Sequence, residues 1–76
     1  MSTIQKIEYS LYEYYKKNIT EPSGILIHPN TFDDLVDELR EGYDIPTDMN
    51  RNDAKYRGIK IFESLQLNKN EIKIIL

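Results

Sequence analysis

Thr31–Glu41 (TFDDLVDELRE) carries five carboxylates, Asp33, Asp34, Asp37, Glu38 and Glu41, against one cation, Arg40. At helical spacing these acids occupy the arc opposite Phe32, Leu35, Val36 and Leu39. Three i,i+4 pairs are then like-charged: Asp33/Asp37, Asp34/Glu38 and Asp37/Glu41. Each costs about 0.2–0.5 kcal/mol. The positive N-terminal end of the helix favours Asp33 and Asp34, whereas Glu38 and Glu41 stand near the unfavourable C-terminal end. A helix selected for stability alone would intersperse lysines. A row of this kind either keeps a small protein in solution or docks a basic patch on a protein partner, where charge speeds encounter.

Other chemistry-bearing residues are sparse. Asp48-Met49-Asn50-Arg51-Asn52 begins like a calcium loop, but Asp53 stands where the turn needs Gly and Ile59 where a bidentate Glu belongs. His28, the only histidine, follows an apolar run and precedes a proline, which suits a structural residue. Ser23 and Ser64 lack a nucleophile-elbow motif, and no Gly-rich phosphate loop or His/Glu metal pair occurs. No cofactor is implied. Among the six tyrosines, Tyr14 and Tyr15 read as core or rim. Tyr9 and Tyr12 lie on the outer side or edge of their helix and read as contact residues, since tyrosine offers large area at low entropic cost. Glu8 falls inside the apolar arc of that helix, where it reaches solvent or pairs with a tyrosine hydroxyl, unless that arc meets another chain rather than this domain's own sheet.

Length and charge narrow the class. A chain of 76 residues holds one domain and one core, and a domain near this size buries only about 60% of its unfolded-state surface. With no cysteine there is no disulfide framework and no Cys-based zinc site, which fits a reducing cytosolic setting. No apolar run approaches membrane-spanning length, and Met1–Ser10 lacks the apolar centre of a signal peptide. The net charge is +1 over residues 1–20, −7 over 21–54 and +3 over 55–76. Because the strongest field is negative, nucleic acid is an unfavourable partner.

The elements that must position these residues follow from periodicity. Ser2 or Thr3 caps a first helix within residues 1–20, on which Ile4, Ile7, Leu11, Tyr14 and Tyr15 recur at helical spacing. Glu13 and Lys17 form an i,i+4 pair on its other side. Gly24–His28 is a continuous apolar run, too short for a helix and bounded by Gly and Pro, and reads as a central buried strand. Asn30 takes the N-cap position of the second helix, and Gly42 ends it as C′. Residues 43–54 form a long loop. Lys55–Glu63 alternates as a second strand and Glu71–Leu76 as a third. The expected architecture is a single α+β domain, residues 1–76, of order α-β-α-β-β. Its three-stranded sheet would pair the second and third strands antiparallel, with both helices on one face.

From residue 25 onward, ILIHP, FDDLVDEL, YRGIKIF-S-L and EIKII form a strand-Pro-helix-strand pattern. It resembles small proteins of tailed bacteriophages and is distantly similar to a segment of tailed-phage major capsid proteins. His28 replaces the usual Asn, Lys60 stands where the capsid pattern often has Pro, and the rest of the capsid body has no counterpart. The resemblance covers about two-thirds of the chain. It implies phage origin and a structural or interaction role, and it transfers no catalytic residue.

The function expected from these readings is non-enzymatic protein–protein interaction, as a bacteriophage virion accessory or assembly component, located in the host cytoplasm or the virion. Homo-oligomerisation is compatible with it. One alternative is a phage-encoded inhibitor of a host defence protein that uses the acidic helix to imitate nucleic acid. A small carboxylate-dependent enzyme is another.

Overall fold

The computed structural model describes residues 2–50 and 52–76. Helix α1 spans Thr3–Lys17. Ser2 caps it in a reciprocal box with Gln5: each side chain bonds the other's backbone N–H, at 3.1 and 3.0 Å. Strand β1 (Gly24–Ile27) leads through helix α2 (Pro29–Leu39) to two short strands, β2 (Thr47–Asp48) and β3 (Lys55–Tyr56). Strands β4 (Ile59–Glu63) and β5 (Ile72–Ile75) complete the described elements.

The sheet corrects the three-stranded expectation. It has five strands in the order β2-β3-β4-β1-β5 and is mixed, with β1 parallel to β4 and antiparallel to β5. The second and third expected strands, now β4 and β5, are therefore not neighbours, because β1 lies between them. Two local features also escaped the periodicity. Lys55–Glu63 is a hairpin rather than one strand, since Arg57 (φ 52°) and Gly58 (φ 79°) both adopt positive φ in a two-residue turn between the paired Tyr56 and Ile59. The 43–54 segment, expected to lack regular structure, contributes β2, which pairs Thr47 with Tyr56 and Asp48 with Lys55.

The alternation of β1 and β4 decides where the core sits. Ile25, Ile27, Ile59 and Ile61 point to one face and are buried with Ile4, Ile7 and Leu11 of α1, Phe32 and Leu35 of α2, and Tyr56. The opposite face carries Leu26, Lys60, Phe62, Lys73 and Ile75 and is only partly covered. Gly24 allows the Phe62 ring to lie across the sheet, since a Cβ there would stand 2.5 Å from the ring edge.

The start and end of α2 also differ from expectation. His28, not Asn30, is the N-cap. Its Nδ1 accepts the Asn30 N–H at 3.0 Å, and Pro29 opens the first turn, where its missing N–H costs nothing. The helix stops at Leu39 with Arg40 as C-cap, so Gly42 (φ 105°) lies one residue beyond C′.

Candidate functional site

Of the five carboxylates singled out, four lie on the exposed side of α2 and its C-terminal turn: Asp33, Asp34, Asp37 and Glu41. Among the described residues no lysine or arginine lies within ion-pair distance of Asp34, Asp37 or Glu41. Beside this ridge runs a groove of about 370 Å³ lined by Phe32, Asp33, Val36, Asp37, Arg40 and Met49. Phe32, Val36 and Met49 supply its apolar lining, and Asp33, Asp37 and Arg40 its charged lining.

Glu38 does something else. It turns toward α1, where its two oxygens accept the backbone N–H groups of Thr3 at 2.8 Å and Ile4 at 3.0 Å. Burial pushes its pKa up, but the hydrogen bonds from Ile4, Thr3 and Ser2 outweigh it and hold the carboxyl below its ordinary value. Two N–H groups that the first turn of α1 cannot satisfy itself thus find their acceptor on a different helix. Glu38 joins the helices and leaves the outward ridge.

Tyr9 and Tyr12 are exposed, at 60% and 62%. The Lys16 ammonium lies 5.3 Å from the centre of the Tyr12 ring. Lys16, rather than Lys17, approaches Glu13, at 3.8 Å. Tyr9 lines a second groove, between α1 and β5, which shares no residue with the groove beside α2. The sequence-selected residues are therefore split between two surfaces.

Sequence reasoning did not single out Arg57. Its Nε and Nη2 donate to Glu8 Oε1 at 2.9 and 2.6 Å, and the Tyr56 hydroxyl donates to the same oxygen at 3.0 Å. The Glu8 carboxylate raises the Arg57 pKa, and burial followed by Glu8 raises that of Tyr56 strongly. This resolves the acid within the apolar arc of α1, which ties that helix to the β3–β4 turn. The misplaced Glu8 was the available signal.

The calcium-like segment is occupied by its own turns. Asp48 Oδ1 accepts from Asn50 N at 3.2 Å and Asn50 Oδ1 from Asn52 N at 3.2 Å, while Arg51 lies outside the described residues. Among the described residues no group of three or more His, Cys, Asp or Glu side chains is arranged to hold a metal. None of the described helices is long and apolar enough to cross a membrane. Comparison with protein-family models, curated proteins and solved structures finds no match to the chain.

Proposed function

We propose that this chain is a non-enzymatic protein-binding domain in which the α2 ridge receives a basic surface of a protein partner. The observation that carries this reading is the absence of an ion-pair partner for Asp34, Asp37 and Glu41 among the described residues, beside a partly apolar groove. The arrangement costs the isolated helix stability, and a cationic partner would relieve that repulsion. The groove suits a lysine or arginine stem, whose methylenes pack on Val36 and Met49 while the head meets Asp37. The resemblance of residues 25–76 to small tailed-bacteriophage proteins supports placing that partner in a virion or an infected host cell. The nucleic-acid-mimic reading draws less support from the geometry, because Glu38 is committed to α1 and the ridge is short.

Affinity capture with the purified chain, compared with an Asp37→Lys/Glu41→Lys variant and read by mass spectrometry, tests the proposal. Expected is a partner with a basic surface that is retained at low salt, released near about 0.3 M salt, where exposed charges are strongly screened, and not retained by the variant. Retention indifferent to both salt and charge reversal overturns it.

A further inference from the structure

The groove between α1 and β5 stands on observations independent of the α2 ridge. Strand β5 is one of the two edges of the sheet, paired among the described residues to β1 on one side only. In an antiparallel strand every second residue turns both its N–H and its C=O away from its partner, so β5 offers an unfilled ladder. Ile72 and Ile74, on the core face of β5, are only half-buried at this edge, although their neighbours Ile25 and Ile27 on β1 are fully buried. Helix α1 forms the other wall of the groove, through Tyr9, Glu13, Tyr14 and Lys17. Tyr14 is 8% exposed, and among the described residues nothing hydrogen-bonds its buried hydroxyl. A buried hydroxyl left unpaired is costly and uncommon in a folded chain. Tyr14 is one of the residues that line this groove, of about 360 Å³.

We infer that an extended segment of a partner protein pairs with β5 as a sixth strand. Alternate apolar side chains of that segment cover Ile72 and Ile74, and a polar group of it meets the Tyr14 hydroxyl. Main-chain pairing supplies the attachment, and the pocket under α1 supplies the side-chain preference. Glu13 and Lys17, of opposite sign on the groove wall, disfavour a strongly charged segment of either sign. A second copy joined β5 to β5 fits poorly. Each α1 packs over its own β5, so the two helices would meet across about one strand spacing of 4.8 Å, whereas packed helices need about 8–10 Å. A bare extended segment has no such conflict.

The test uses the whole chain and a random peptide library of about ten residues per member, with recovered peptides mapped by amide chemical shifts. Expected are peptides with alternating apolar residues whose binding shifts the amides of Ile72–Ile75, Tyr9 and Tyr14. Tyr14→Phe should weaken them roughly three- to tenfold, the worth of one neutral hydrogen bond. The same variant should melt no lower than the parent when free, since it deletes an unpaired buried group; a merely structural tyrosine would leave peptide affinity unmoved. Failure to recover a binder, shifts confined to α2 or to the outer sheet face, unchanged affinity of Tyr14→Phe, or dimerisation through β5 each overturns the inference. Because Tyr14 and the α2 ridge are on separate surfaces, failure here leaves the α2 reading standing, and the reverse holds too.

Discussion

At the scale of single residues, Glu38 shows how a side chain changes meaning once the chain is folded. On a helical wheel it belongs with Asp34 and Asp37, yet its carboxylate accepts two backbone N–H groups from α1. No local signal carries that assignment, because the partners are 34 and 35 positions away. Its folded pKa is lowered, so it stabilises the fold at pH values above the ordinary carboxylate range, and that contribution is lost as pH falls through the lowered value. Glu38→Gln should therefore cost about 1–2 kcal/mol near neutral pH, and the gap to the parent should close on acidification. Urea melts at several pH values would show it. A difference that persists unchanged into strong acid would mean that the loss comes from packing and not from the charge-assisted cap. His28 is the simpler case. Its place before a proline marked it as structural, and its Nδ1 caps α2. His28→Ala should cost about 0.5–2 kcal/mol by the same melts, as N-cap removals do.

At the scale of elements, the core-facing pattern was legible and the pairing was not. Ile59 and Ile61 against Lys60 and Phe62, or Leu35 against Asp34, state which side faces inward wherever burial has a fixed period. What periodicity omits is which strand lies beside which. That β1 separates β4 from β5 is not written in the alternation of any of the three strands. The β3–β4 turn was missed for a different reason. Arg57 at positive φ is an uncommon turn residue, held there by its bonds to Glu8, so the familiar Asn-Gly or Asp-Gly signature is replaced by Arg-Gly. Gly58→Ala should consequently cost about 1–2 kcal/mol, the penalty of a Cβ in the left-handed region. Gly24 makes a separate demand, for space under Phe62. Gly24→Ala should destabilise by about 1–3 kcal/mol, and by clearly less in a Phe62→Ala background. A double-mutant cycle that finds the two changes additive would show that the ring does not rest on Gly24 in solution.

At the scale of the whole molecule, charge is segregated by layer. The helix layer turns Asp33, Asp34, Asp37 and Glu41 outward, while the outer face of the sheet sets Lys55 directly opposite Lys60 and places Lys73 beside Leu26. Like charges paired in this way cost stability on both surfaces, and neither arrangement helps to build the core. A chain this small has little stability to spare, so the cost on α2 is informative. Asp37→Lys with Glu41→Lys replaces the Asp33/Asp37 repulsion with an opposite-charge spacing and puts cations at the C-terminal end of α2, while positions 37 and 41, the latter already beyond the helix, remain like-charged. The variant should therefore be more stable than the parent, by about 0.5–1 kcal/mol at low salt, with the difference shrinking as salt screens it. If it also loses its partner, stability and binding will have been moved in opposite directions by the same two side chains. That outcome separates a docking ridge from a solubilising face, because a face that only keeps the chain in solution would gain stability on charge reversal and lose no partner.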